Sequence, residues 1–137
     1  MSEYEEWNKQ VMTEFRANDG KVGGQFEGAP LLILHTTGAK SGQERLSPLL
    51  YREQGDDLVI FASYAGAPSD PAWFRNLVAN PDVTVEIGTE TRALRARVAG
   101  PEERDAIWVD HKVNWPQFQE YEDKTDRTIP VVILEPR

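Results

Sequence analysis

The sequence predicts an α+β protein, mainly β. Short strands curl into a small closed or partly open barrel, with helices at the N-terminus and between hairpins. Three observations carry this reading. Six apolar or alternating runs recur along the chain, each bounded by Gly, Pro, Asn or Asp. Two pairs of them are separated only by turn sequences, "GAKSG" and "GTE". Helical spacing is confined to the N-terminus and to the stretches between hairpins, and strands at short spacing with helices inserted suit a small barrel.

The first element is an amphipathic helix. Tyr4, Trp7, Val11, Met12 and Phe15 follow helical spacing with charges between them, and "NDG" stops the helix near Asn18. "KVGGQFEGAP" is a glycine-rich loop. Leu31 to Thr37 is an apolar strand, and Glu44 to Arg52 is its antiparallel partner across "GAKSG". "EQGDD" turns into a third strand, Leu58 to Ala62, and "SYAGAPSDP" is a loop. Pro71 suits the first position of a helix, where its missing N–H has no intrahelical partner to lose. Trp73, Phe74, Leu77 and Val78 give that helix an apolar face, and "ANPD" ends it.

Val83 to Ile87 and Arg92 to Val98 alternate apolar and polar side chains, as half-buried strands do. "GPEERDAIWVDHKVNW" opens with proline and acids and continues as a helix through Ile107, Trp108 and Val113. "PQFQEYEDKTDR" is a short helix and "TIPVVILEP" the closing strand. There are no repeats or low-complexity tracts, so residues 1–137 read as one domain. At this length folding buries roughly two-thirds of the surface the unfolded chain exposes, enough for a core without staples.

Composition narrows the function. The chain of 137 residues has no cysteine, which removes disulfides, thiolate metal sites and cysteine nucleophiles together. The start, "MSEYEEWNKQ", has neither a basic nor an apolar signal region. No apolar run approaches the roughly 20 residues that cross a bilayer. The expected location is the cytoplasm, with peripheral membrane contact left open. The formal net charge is −8, from 23 acids and 15 bases. Nucleic acid is therefore not an expected partner, because that affinity comes from neutralising phosphates. An anionic ligand would need a local basic patch.

"HTTGAKSGQER" offers one. A hairpin turn needs its glycines but not Lys40 and Arg45. Turn N–H groups can form an anion nest. Lys40 adds a point charge, Arg45 a planar fork of donors, and Thr37 and Ser41 add hydroxyls. Ordinary solvated surface cations are the alternative reading of the same residues.

"EFRANDGKVGGQFEGAPLLILHTTGAKSGQERLSPL", "AGAPSDPAWFRNLVANP" and "TDRTIPVVILE" together resemble the deazaflavin-dependent nitroreductase family, in the expected order from about Glu14 to Pro136. The resemblance implies a split β-barrel of the FMN-binding-like kind. It implies binding of coenzyme F420, a 5-deazaflavin carrying a phosphate and a polyglutamate tail. It also implies hydride transfer from the reduced form to a small-molecule acceptor: a quinone, a nitroaromatic or a similar compound. Carried over residue by residue, Lys40, Ser41, Gly42 and Arg45 lie against phosphate and tail, with Pro48 beside the ring system.

The resemblance places a second group of residues, Ala62, Ser63, Ala65, Gly66, Ala67, Trp73 and Asn76, around the deazaflavin. Trp73 on an apolar helix face is also a natural core residue, and Asn76 could bond to loop backbone. The lysine that some members carry at the position of Tyr64 is missing here. The third group is "NWPQFQEYEDKTDR", where Trp115, Phe118 and Tyr121 recur at i, i+3 and i+6. An acceptor's flat ring could stack there, and these rings could equally be core. Tyr121 could donate a proton as hydride arrives, with the Ser63 hydroxyl as the other candidate. Some members have tyrosine at both matching positions, whereas Phe118 has no hydroxyl. Asp126 and Arg127 look structural, a cap and an ion pair holding this segment to the last strand.

His35 and His111, the two histidines, lack nearby metal-type partners and read as non-ligands. "GKVGG" is not a phosphate-binding P-loop, and no G-x-G-x-x-G fingerprint exists. The leading expectation is an oxidoreductase using reduced deazaflavin. An FMN enzyme of the same fold and a non-catalytic deazaflavin carrier are the alternatives. Oligomeric state is not legible in the sequence.

Overall fold

The computed structural model describes residues 3–21, 30–63 and 70–137. Four helices and six strands follow in the order α1 (Glu3–Ala17), β1 (Leu31–Thr37), β2 (Glu44–Gln54), β3 (Asp57–Phe61), α2 (Ala72–Ala79), β4 (Asp82–Ile87), β5 (Glu90–Val98), α3 (Pro101–Asn114), α4 (Gln117–Asp123) and β6 (Val131–Pro136). The strands close into an antiparallel barrel in the order β1-β2-β3-β6-β5-β4. The expected α+β split barrel is therefore the fold.

Period-two alternation sorts each strand between two environments. Leu32 and Leu34 of β1, Leu58 and Ile60 of β3, Val83, Val85 and Ile87 of β4, and Val132 and Leu134 of β6 fill the interior. Trp73 and Leu77 of α2 close one end of that core. The opposite sides of the strands are covered from outside. Leu31 and Ile33 pack under Val11 and Phe15 of α1. Val59, Phe61, Val131 and Ile133 pack under Ile107 and Trp108 of α3 and Phe118 of α4. Burying a large apolar side chain contributes about 1.5–3 kcal/mol, so these layers supply most of what holds the helices to the barrel.

β2 changes partner midway. Its residues from Glu44 to Leu50 pair with β1, while those from Tyr51 to Gln54 pair with β3. Pro48, opposite Ile33, lies in the half that has one neighbour. A residue without an N–H is tolerated there because no second ladder needs it. No strand among the described residues pairs with the other edge of that half-strand.

The turn that follows α1 contains Gly20, whose φ of 92° is readily adopted only without a Cβ. A Cβ there would lie 2.7 Å from Cα of Gly88 in the β4–β5 turn, so backbone meets backbone. α3 begins with Pro101 and the acids Glu102 and Glu103 and ends with His111 and Lys112, charges that complement the helix dipole. On the outer face of β1 and β4, His35 Nε2 lies 2.6 Å from Glu86 Oε2. Arg16 of α1 donates to both oxygens of Glu86, at 3.0 and 2.7 Å. These contacts tie the end of α1 to the barrel wall.

Candidate active site

The hairpin between β1 and β2 is built tightly. Gly38 N–H donates to the Gln43 carbonyl at 2.8 Å, and Gly42 N–H to the Gly38 carbonyl at 3.0 Å. Gly42 has a φ of 71°, in the left-handed region. Ser41 Oγ accepts from Gln43 N–H at 3.2 Å, which leaves the hydroxyl proton free to donate outward. Lys40 and Arg45 are both exposed, and neither has an ion-pair partner among the described residues.

α2 holds this hairpin from below. Asn76 is buried, with its Oδ1 accepting from Ala39 N–H at 3.0 Å and its Nδ2 donating to Thr36 Oγ1 at 3.2 Å. The side chain thus serves the loop backbone as well as lying at the site. Trp73 is core and wall at once: it is 7 % exposed, packs in the barrel interior and lines the cavity beside the hairpin.

That cavity measures about 830 Å³. It brings together Lys40, Ser41, Arg45, Trp73 and Asn76 from the expected set. It also includes residues the sequence reading missed: Asn8, Lys9 and Met12 of α1, Ser47 of β2, and Arg75 of α2. Among the described residues its lining holds the cations Lys9, Lys40, Arg45 and Arg75 and one carboxylate, Glu44. A positive cavity in a chain of net charge −8 is a local exception that suits an anionic ligand.

Other expected residues lie elsewhere. Gly42 shapes the hairpin without lining the cavity, and Pro48 sits in β2 against Ile33. Ala62 and Ser63 are buried at the end of β3. Ala65, Gly66 and Ala67, with Tyr64, fall outside the described residues. Trp115 precedes α4 as the C-cap of α3, so the three aromatics do not share one helix. Phe118 is buried against Phe61, Trp108 and His111, and Trp115 and Tyr121 flank that cluster half-buried. Tyr121 meets the Phe118 ring edge-on at 5.1 Å. Its hydroxyl makes no hydrogen bond among the described residues.

Arg127 departs from the expected contact with the last strand. It pairs with Asp70 at 2.8 Å and donates to the carbonyls of Ala62 and Ser63 at 3.0 and 2.8 Å. The planar guanidinium thereby joins the segment after α4 to the end of β3 and the approach to α2, because its several donors can serve three acceptors at once.

The model of the F420H(2)-dependent quinone reductase family matches residues 7–136. This chain belongs to that family. It is an oxidoreductase that uses reduced coenzyme F420. An F420H(2)-dependent quinone reductase of Mycobacterium tuberculosis is 39% identical over 124 residues, covering 88% of this chain and 83% of that protein. Among solved structures, an F420-H2 dependent reductase is 40% identical with a TM-score of 0.70, covering 77% of this chain and 94% of that one. A second, described as a domain-swapped dimer, is 35% identical with a TM-score of 0.71, covering 96% and 97%.

Proposed function

We propose that this chain carries hydride from reduced coenzyme F420 to a quinone, with the cofactor held between the β1–β2 hairpin and α2. The observation that carries the residue assignment is the pair Lys40 and Arg45. These are exposed cations without ion-pair partners among the described residues, on the wall of a cavity rimmed by two further elements. The donor set suits a phosphate-bearing cofactor: a point charge, a planar fork, the Ser41 hydroxyl and a hairpin turn. When bound, the reduced deazaflavin supplies the hydride, so the protein's task is placement and proton supply.

In this reading Trp73 and Ser47 bound the space for the ring system, and Asn76 fixes the hairpin from beneath. Pro48 stiffens the strand that carries Arg45 and Ser47. Ala62 and Ser63 add to the ring's surroundings, the role that the resemblance also implies for Ala65, Gly66 and Ala67. Trp115 and Tyr121 border the acceptor, with Phe118 as the buried support behind them, and Tyr121 or Ser63 delivers a proton to the reduced acceptor. Nitroaromatics are accepted as well as quinones, because both gather charge on an oxygen that a hydroxyl can protonate. A cytoplasmic location, a single domain over residues 1–137 and no nucleic-acid partner belong to the same proposal. They are supported by the cysteine-free acidic sequence. No helix among the described residues is long and apolar enough to cross a membrane.

The experiment mixes reduced F420 anaerobically with excess protein and then with a soluble quinone, following cofactor oxidation by absorbance. Single-turnover oxidation dependent on the quinone is the expected result. Tight FMN binding with no F420 binding would overturn the cofactor assignment. Binding without turnover by any quinone or nitroaromatic would leave a carrier.

A further inference from the structure

α4 has seven residues, Gln117–Asp123, and its N-cap Pro116 supplies no side-chain cap. A helix this short is marginal on its own in water, so its place is set by what it packs against. Two of its side chains, Phe118 and Glu122, stand one turn apart on the same face. Phe118 is buried on Phe61, Trp108 and His111. Glu122 joins α4 to α3 through polar contacts. Its Oε2 accepts from the Trp108 indole N–H at 2.6 Å and its Oε1 from Lys112 Nζ at 2.9 Å. Gln119 of α4 closes the ring, accepting from Lys112 at 2.9 Å and donating to Glu122 at 3.3 Å. Arg104, bonded to the Ile129 carbonyl, lies over the Trp108 ring with its guanidinium 5.0 Å from the centroid. Burial pushes the Glu122 carboxyl up, but the hydrogen bonds from Lys112 and Trp108 and the charges of Lys112 and Arg104 outweigh it and hold the group below its ordinary range. Glu122 is therefore a carboxylate at neutral pH.

We propose that Glu122 is a positioning residue for Tyr121: by accepting from Trp108 and Lys112 it fixes the rotation of α4, and with it the place of the Tyr121 hydroxyl beside the acceptor. The inference rests on the reading of Tyr121 as proton donor given above. The Tyr121 hydroxyl makes no hydrogen bond among the described residues, and its ring meets Phe118 edge-on. The hydroxyl thus takes its position from the helix that carries it. Phe118 alone serves as a pivot, because apolar burial is non-directional and lets a helix roll. The charge-assisted bonds to Glu122 are directional and remove that freedom. Trp108 is 1 % exposed, so its indole N–H is a rigid reference within α3. A misplacement of about 1 Å can cost about 10²-fold in rate. A small roll of α4 would therefore reach proton delivery and leave the hairpin and α2 untouched.

The test compares wild type, Glu122→Gln and Glu122→Ala, each with Tyr121 intact and with Tyr121→Phe. All are assayed at a temperature where thermal unfolding shows them folded. Glu122→Gln keeps an oxygen for the Trp108 N–H and loses the charge that holds Lys112. The single-turnover rate of quinone reduction should fall by about tenfold in Glu122→Ala and about threefold in Glu122→Gln, with the F420 dissociation constant within about twofold of wild type. In the Tyr121→Phe background both substitutions should cost almost nothing further, because residues that act through one another are non-additive. Wild-type rates in both Glu122 variants overturn the positioning role. So do losses that multiply in full in the Tyr121→Phe background, or a cofactor dissociation constant that weakens in step with the rate. Glu122→Gln alone decides the matter if Glu122→Ala does not fold. Tyr121→Phe as fast as wild type would instead sink the donor reading, and the proposal with it.

Discussion

Asn76 of α2 and Ala39 of the β1–β2 hairpin are joined by a hydrogen bond of 3.0 Å, from the Ala39 N–H to the Asn76 amide oxygen. Through it the helix that carries Trp73 also sets the position of the turn that carries Lys40. Asn76→Asp keeps an acceptor for Ala39 N–H and can still meet Thr36 by accepting from its hydroxyl. It should fold near normally while placing a negative charge in the cavity wall, weakening cofactor binding. Asn76→Ala leaves Ala39 N–H without this partner and should cost about 1–3 kcal/mol of stability. Parallel thermal unfolding and cofactor titration separate the two effects. An Asn76→Asp variant that binds as wild type would mean the cofactor lies away from α2.

Lys40→Ala and Arg45→Ala should each weaken cofactor binding by about 1–3 kcal/mol if the contacts are charge-assisted. Neither cation has a structural ion pair to lose among the described residues, so unfolding temperatures should barely change. Raising salt should weaken wild type more than either variant. Dissociation constants unchanged in both variants would remove the hairpin from the site.

Tyr121→Phe keeps the ring against Phe118 and removes only the hydroxyl, which makes no hydrogen bond among the described residues. Cofactor affinity should be nearly intact. The single-turnover rate should fall by about 10²-fold, the low end for general acid catalysis, because water or Ser63 can substitute. Phe118→Ala should behave differently, losing about 3–5 kcal/mol of stability because that ring is buried. A Tyr121→Phe variant that oxidises reduced cofactor at the wild-type rate would show that the proton comes from elsewhere.

His111 is buried and stacks on Phe61 with ring centroids 3.8 Å apart, and its Nε2 has no hydrogen-bond partner among the described residues. Burial, helped by the charge of Arg52 and opposed by Asp110, pushes its pKa down from 6.5 to about 4. The unfolded chain therefore binds the proton that the folded chain refuses between those values. Stability should be full above about pH 6.5 and fall as pH drops towards 4, by on the order of 3 kcal/mol in all. His111→Leu should flatten that limb of the pH–stability curve. Carboxylates held below their ordinary range by their partners, such as Glu86 beside Arg16, should keep their effect in the variant. An unchanged slope between pH 4.5 and 6.5 would show that His111 is not the group responsible.

Local pattern alone determined the strands and part of the cavity lining. Alternation in "DVTVEI" and the apolar run of "LLIL" report burial directly, because neighbouring side chains on a strand face opposite environments. Lys40 and Arg45 were visible because two cations around a glycine turn lie within one short segment of an otherwise acidic chain. Tertiary structure decided what depends on elements meeting. Lys9 reaches the cavity only because α1 docks on the outer face of β1, and Arg16 finds Glu86 across seventy residues of chain. Phe118 and Tyr121 look alike as aromatic letters. Packing buried Phe118 among Phe61, Trp108 and His111 and left the Tyr121 hydroxyl without a hydrogen bond among the described residues. An aromatic side chain serves a core or a pocket with the same chemistry, so which it serves is set by the atoms brought against it, and those come from distant parts of the chain.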